Sequence, residues 1–263
     1  MKLCRFELLD QPGKVRSGII YGGKVYETDG QNAIAVHEVD RTKPIAPIGL
    51  PPSIRIYDSK NDELMRFQDA TPFHTYANPN CLIAPSTYLE LPDFSASIEI
   101  SPYLGIVVAE SARGLTPQEA ESYILGYTIA NMFIARDVEG EERTAGSGPG
   151  RSRDVAIAIG PALTTPDELE EAVIDESDGK RFKLEAKARI NGVEVMKGDA
   201  AALPYTPAKL VSVASESAMI ARGDLILAGP IAITETRSRL LEPGDEIQVV
   251  VERLGMLATK IST

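Results

Sequence analysis

The chain is poor in the residues that disulfide and soft-metal chemistry require. It has two cysteines, Cys4 and Cys81, far apart in sequence, so a disulfide framework is not expected and a thiolate metal site is excluded by count. Its two histidines, His37 and His74, are too few for a zinc site built on three or four His or Cys ligands. Any metal has to rest mainly on oxygen. No apolar run reaches the roughly 20 residues of a membrane helix, and no membrane partner is expected. The opening segment, Met1 to Glu7, carries charge inside its apolar stretch. It does not read as a signal peptide, which points to the cytoplasm. Basic residues are outnumbered, 27 against 38, for a net charge of -11. Without a basic cluster, nucleic acid is not an expected partner. There is no G-x-S-x-G elbow, no P-loop and no G-x-G-x-x-G after a strand. Gly146 to Gly150 is glycine-rich but has no Walker lysine.

What is present is an ordinary soluble composition, 43% apolar and 25% charged over 263 residues, enough for one large domain with a small N-terminal addition. Gly22-Gly23 between Arg16–Tyr21 and Lys24–Glu27 is a hairpin signal. Pro44, Pro47, Pro51 and Pro52 mark a linker, which divides the chain into a small β lobe over residues 1–50 and a main domain over 51–263. Strands are expected at Ser53–Tyr57, Leu104–Ala109, Phe182–Ile190, Asp224–Ala228 and Glu246–Glu252, with Asn191-Gly192 as a second hairpin turn. Thr116-Pro117-Gln118-Glu119 is a capping box with proline at the first helical position and predicts a helix to about Leu125. Thr165-Pro166-Asp167-Glu168 repeats the device, and a third helix is expected over Ala208–Ala221. Val138 to Gly150, charged and then glycine-rich, reads as a solvated loop or as a mobile lid over a pocket. Many strands and few helices, without strict alternation, argue for an α+β fold with a predominantly antiparallel or mixed sheet.

Several segments in fixed order resemble the fumarylacetoacetate hydrolase family. Gly126-Tyr127-Thr128-Ile129-Ala130-Asn131-Met132-Phe133-Ile134-Ala135-Arg136-Asp137 is similar to its G-Y-T-x-x-N-D-x-x-A-R-D signature. Arg151-Ser152-Arg153-Asp154 with Ile159-Gly160-Pro161 resembles K-S-x-D…I-G-P. Gly223-Asp224-Leu225-Ile226 and Leu241-Glu242-Pro243-Gly244-Asp245 resemble G-D-x-I and L-x-P-G-D. The match covers roughly residues 51 to 263. It implies a mixed β-roll or β-sandwich core of the fumarylacetoacetase C-terminal type with few short helices. It also implies an internal pocket, a dimer, and cleavage, decarboxylation or isomerisation of 2-oxo and β-diketo acids with Mg²⁺ or Mn²⁺.

The departures from that pattern bear on chemistry. Where the family has its metal-binding Glu-x-Glu, this chain has Ser101-Pro102-Tyr103; where it has the ligand Asp, Met132 stands; where it has Lys, Arg151 stands. A hydroxyl and a phenol are neutral near pH 7, and a thioether suits soft metals, so no Mg²⁺ or Mn²⁺ and no other cofactor is expected. Glu99, two residues before Ser101, projects from the same strand face, and Pro102 invites a bulge that could bring it inward. Arg151 either binds an anionic group or pairs with Asp154 or Asp137. Tyr103 and Tyr205 either move a proton or serve as pocket wall. Ser101, Met132, Arg136, Asp137, Arg153 and Asp154 are expected to line the pocket, with Arg136 and Asp137 also readable as a structural pair. Two functions follow. One is an enzyme acting without metal on a small 2-oxo or enol acid or β-dicarbonyl compound, by tautomerisation, decarboxylation or related lyase chemistry more than by hydrolysis. The other is a non-catalytic ligand-binding protein or partner subunit of an active homologue. The expected partners are a small anionic acid and a second copy or a homologue.

Overall fold

The chain reverses at Gly22-Gly23, where both glycines take positive φ, 57° and 77°. That conformation has little cost without a Cβ, and it suits a tight hairpin. The computed structural model describes residues 1–59, 72–234 and 239–263. The hairpin belongs to an N-terminal meander of β1 (Lys2–Leu8), β2 (Gln11–Tyr21), β3 (Lys24–Thr28), β4 (Ala33–Glu38) and β5 (Thr42–Ile45). The chain goes on with β6 (Ile54–Asp58), β7 (Thr75–Ala77), β8 (Leu82–Ile83), β9 (Tyr88–Leu89), β10 (Ile98–Val108), β11 (Ile124–Ala135) and β12 (Ala156–Thr164). It continues with β13 (Val173–Asp175), β14 (Arg181–Phe182), β15 (Glu185–Ile190), β16 (Val193–Asp199), β17 (Leu225–Gly229), β18 (Glu246–Val251) and β19 (Gly255–Ile261).

Among the described residues, twelve strands form one sheet in the order β4-β3-β2-β1-β12-β11-β10-β17-β6-β7, with β5 on β1 and β8 on β12. A second sheet runs β16-β15-β18-β19-β9. Most pairings are antiparallel, while β17 with β6, β12 with β8 and β19 with β9 are parallel. The architecture is therefore the mixed, sheet-dominated α+β fold expected from the sequence. The N-terminal meander is stitched into the large sheet through Lys2↔Thr164 and Leu3↔Leu163.

Side-chain alternation on the pleat gives the large sheet two apolar faces. From β10, Ile100, Leu104, Ile106 and Val108 enter a core that also takes Ala186, Val249 and Leu257 of the second sheet, so this core fills the space between the sheets. Tyr103 and Val107 of the same strand point the other way. They join Ile54, Ile56, Met132 and Leu227 on the outer face.

Three α-helices are described: α1 (Pro117–Glu121), α2 (Arg136–Ala145) and α3 (Pro207–Ser217). None is long and apolar enough to cross a membrane. Helix α1 has the full Thr116/Glu119 capping box, but it stops before Leu125 because Ile124 already enters β11. The Thr165-Pro166 device starts a 3-10 helix, Pro166–Ala172. Helix α2 corrects the loop reading of 138–150. Its acidic first turn and basic last turn complement the helix dipole, and Gly146 at φ 72° closes it. Pro102 makes no bulge. The β10–β11 register runs unbroken from Ile98↔Ala135 to Val107↔Gly126, and the proline carbonyl accepts the Ile231 N–H at 2.9 Å.

Close strand contact makes one glycine a sensitive probe of this packing. A Cβ on Gly126 would stand 2.6 Å from the Thr164 carbonyl oxygen and 3.0 Å from Leu163 Cγ. Gly126→Ala is expected to cost about 1–3 kcal/mol, read as a lower denaturation midpoint with an unchanged m-value.

Candidate functional site

The large sheet parts at one place, and a cavity lies there. Strand β10 pairs with β11 along its whole length, but with β17 only over Leu104–Val107. Strand β17 ends at Gly229 beside Asp58, the last residue of β6. The first half of β10 therefore runs on past the carboxyl ends of two parallel strands. The gap holds a cavity of about 220 Å³.

Its polar lining comes from four places. Glu99 and Ser101 come from β10, and Asp58 from the end of β6. Arg136, Glu139 and Arg143 come from α2, and Arg153 from the 3-10 turn Arg151–Arg153 before β12. Residues 136, 139 and 143 share one helix face because their spacing follows the 3.6-residue turn. The turn carrying Arg153 is tied to α2 by Glu142. That carboxylate accepts from the backbone N–H groups of Gly150 and Ser152 at 3.1 and 3.3 Å, and from the Ser152 hydroxyl. Ser152 is fully buried, so this clamp sets where Arg153 points.

Arg153 is only 6% exposed. Its Nη2 lies 3.0 Å from Asp58 Oδ2 and 3.3 Å from Glu139 Oε1, and its Nη1 donates to Thr75 Oγ1 at 3.1 Å. Arg136 continues the chain of charges, with Nη1 2.6 Å from Glu139 Oε2 and Nε 3.2 Å from Glu99 Oε2. Glu139 thus holds one guanidinium on each oxygen. Burial pushes its carboxyl up, but Arg136 and then Arg153 outweigh that and hold it below the usual carboxylate range. Arg143 is exposed at the rim and has no ion-pair partner among the described residues. Three acidic and three basic side chains line the cavity. Burial, with Asp58 adding to it, raises the Tyr103 phenol well above its ordinary value, which keeps it protonated, and Ser101 is its hydrogen-bond neighbour.

The structure brings together some of the residues singled out in the sequence. Ser101, Arg136 and Arg153 line the cavity. Tyr103 and Met132 are not among the described lining residues and are buried, 1% and 0% exposed, in the outer-face core, Met132 opposite Ser101 in the β10–β11 register. Arg151 is exposed, with its guanidinium 4.3 Å from the Phe94 ring centroid. Asp137 accepts from Ser95 Oγ at 2.6 Å and Ala96 N at 3.0 Å. Asp154 is exposed, and its carbonyl and carboxylate face the Cys81 thiol. Tyr205 packs at the edge of the inner core, just before Thr206, the N-cap of α3. None of these four is among the described lining residues. Asp58, Glu139 and Arg143 were missed. The signal for the last two was a helix over 136–145, whose period aligns both with Arg136. Among the described residues no three His, Cys, Asp or Glu side chains converge as a metal site.

Comparison with known proteins bears on the family and the fold. The model of the fumarylacetoacetate hydrolase C-terminal domain matches residues 57–262. The 2,4-didehydro-3-deoxy-L-rhamnonate hydrolase of a Sphingomonas strain is 29% identical over 69% of this chain and 61% of its own length. The mitochondrial oxaloacetate tautomerase of Homo sapiens is 24% identical over 68% of this chain and 55% of its own. The chain thus matches less than two thirds of each of these named enzymes. The structure of fumarylacetoacetate hydrolase from Exiguobacterium antarcticum superposes with a TM-score of 0.81, at 22% identity, over 100% of this chain and 99% of that one.

The ion-pair chain has a pH signature. Because the folded carboxyl of Glu139 titrates below its unfolded value, its stabilisation is complete above the unfolded pKa, about 4.3. It is lost as the pH falls through the lower folded value. Glu139→Gln is expected to lower stability by about 3 kcal/mol at pH 7, since the buried Arg153 and the half-buried Arg136 each lose a partner. The variant should also show a shallower fall of Tm below about pH 4 than the parent protein.

Proposed function

Because this chain belongs to the fumarylacetoacetate hydrolase family, we propose that it interconverts the tautomers of a small anionic 2-oxo acid, with arginine side chains in place of a metal ion. The observation that carries this reading is the guanidinium-lined cavity itself. Its volume of about 220 Å³ lies below the roughly 300–1,000 Å³ of drug-sized sites, so it suits a compact acid. The names of the relatives, an oxaloacetate tautomerase and a hydrolase of a sugar-derived 2-oxo acid, support the same substrate class.

The family's divalent ion fits these residues poorly. A hard cation in such a site needs carboxylate charge to offset its desolvation. Positions 101, 103 and 132 offer a hydroxyl, a protonated phenol and a thioether, and the nearby carboxylates of Glu99, Glu139 and Asp58 already face guanidinium groups. A dication placed about 4 Å from one guanidinium is repelled by about 8 kcal/mol at an effective dielectric of ~20. Two guanidinium groups stand here. No step is therefore routed through a metal.

In the proposed reaction Arg143, the cation at the rim, receives the substrate carboxylate, while Arg136 and Arg153 face the 2-oxo oxygen. Charge that develops on that oxygen as the enolate forms is stabilised by positive groups already in place. Glu99, which has a single guanidinium partner, takes the proton from C3 and returns it to the enol oxygen. Tyr103, buried and protonated, stands two residues from Ser101 on the same face of β10, and the Ser101 hydroxyl lines the cavity wall. Both products of proton transfer remain in the cavity, and no water is consumed.

A second reading has its own support. Arg136 and Arg153 are already neutralised by carboxylates, a closed arrangement that also suits a non-catalytic partner subunit.

Keto–enol interconversion of oxaloacetate and other 2-oxo diacids, followed by ultraviolet absorbance with chelator present, separates the readings. Turnover that survives the chelator is expected. Arg143→Ala should raise KM about tenfold, the worth of one ~1.4 kcal/mol charged contact, with little change in kcat. Turnover abolished by the chelator and restored by Mn²⁺ would overturn the metal-free mechanism. Absence of turnover, with binding retained, would favour the non-catalytic role.

A further inference from the structure

The cavity has two chemically different ends, and one strand supplies both. On β10, Glu99 and Ser101 share the pleat face of Tyr103, which lies in the outer-face core, while Ile100 between them turns into the core between the sheets. The rest of the lining divides in the same way. Asp58 continues the alternation of Ile54 and Ile56 on the outer face, and ion pairs tie Arg153, Glu139 and Arg136 to Asp58 and Glu99. Met196 and Ala232 belong with Ile100 to the inter-sheet core, and Pro230, just past the end of β17, stands between the two groups. The apolar end is fixed from behind. Lys197 and Ile233 exchange two backbone hydrogen bonds of 3.1 Å, and a Cβ on Gly198 would stand 2.3 Å from the Ile231 carbonyl oxygen. Strand β16, which carries Met196, is therefore packed hard against the segment that carries Ala232.

We infer that the cavity selects 2-oxo acids with a single carboxylate and a short apolar tail, and that Met196 sets the length of that tail. The inference rests on the tautomerase reading above and names its substrate class. Arg136 and Arg153 each already touch two carboxylates. Among the described lining residues, Arg143 is the guanidinium without such a partner, and it matches one substrate carboxylate. A second carboxylate at the far end would rest on Ile100, Met196 and Ala232, whose side chains carry no donor. An ionised group there loses its water and gains no partner. An alkyl tail gains from the same surface, because it leaves water for apolar contact. C3, between the 2-oxo carbon and the tail, then falls where Glu99 and Ile100 adjoin on β10, within the part of the cavity that holds the proposed base. Proton removal breaks the C3–H bond. Its electrons form the C2–C3 double bond, the 2-oxo oxygen takes the charge, and Glu99 takes the proton. In D₂O the reverse step returns a deuteron to C3.

The test uses the full chain in D₂O, with deuterium exchange at C3 followed by NMR and binding measured by calorimetry. The decisive pair is 2-oxopentanoate and 2-oxoglutarate, which have the same carbon count and differ in a terminal methyl against a carboxylate. The monoacid is expected to bind more tightly and to exchange with a kcat/KM higher by about tenfold or more, the worth of one unpaired contact in a substrate pocket. Met196→Ala should raise the ratio of kcat/KM for 2-oxohexanoate over 2-oxobutanoate by about tenfold, while the volume-conserving Met196→Leu leaves it near the parent value. A loss of stability alone does not move that ratio. If Met196→Ala does not fold, Met196→Val, which removes less volume, should shift the ratio in the same direction. Equal binding and exchange of 2-oxopentanoate and 2-oxoglutarate would overturn the single-carboxylate selectivity and leave the tautomerase reading standing. An unchanged chain-length ratio in a folded Met196→Ala or Met196→Val would overturn the role of Met196. Exchange of no acid, with the binding preference for 2-oxopentanoate retained, would overturn the tautomerase reading and support the selectivity. Binding of neither acid would overturn both.

Discussion

A charge taken out of water has to be compensated where it stands, because the interior cannot screen it. Arg153 and Glu139 are both more than nine-tenths buried, and each is offset by the other together with a second partner, Asp58 for Arg153 and Arg136 for Glu139. That requirement couples five separate pieces of the chain: the end of β6, the start of β10, helix α2, the turn before β12 and the Thr75 hydroxyl on β7. The compensation is ordered, since each guanidinium touches two carboxylates and Glu139 bridges the two guanidinium groups.

The room for this arrangement comes from the sheet. Strand β17 does not run along the opening of β10, because Pro230, which follows it, has no N–H to give the ladder and lines the cavity instead. Gly229 ends the strand, packed so tightly that a Cβ there would lie 2.6 Å from the Tyr103 ring. Tyr103 thus braces the strand end. The outer-face core of Ile54, Ile56, Met132 and Leu227 forms the floor beneath it. Met132, at a position where the family resemblance implies a ligand carboxylate, packs there as an apolar side chain, fully buried.

Family and architecture were legible in the chain because they depend on local signals. Hairpins at Gly22-Gly23 and Asn191-Gly192, the Thr116 capping box, alternation in β10 and the ordered motifs from Gly126 to Asp245 each declare themselves within a few residues. The cavity was only partly legible. Arg136, Ser101 and Arg153 were found because the motifs contain them. Asp58 ends a strand with no motif of its own. Glu139 and Arg143 lie in a segment whose charges and glycines masked a helix, although Arg136, Glu139 and Arg143 recur at its period. Arg151 and Arg153 differ by two residues in one turn. Phe94 and the Glu142 clamp decide that the first rests on an aromatic ring while the second enters the cavity.

By itself, then, the order of residues determined the strands, the turns, the family and the neutral hydroxyl, phenol and thioether at positions 101, 103 and 132. Those are properties of side-chain type and spacing along the backbone. Only the tertiary structure decided which charges meet. Asp58, Glu99, Glu139, Arg136 and Arg153 span 95 positions from first to last, and no local rule sets a distance between residues so far apart. Packing of β6, β10 and α2 around the end of β17 sets it, because buried charges are stable only in the geometry that neutralises them.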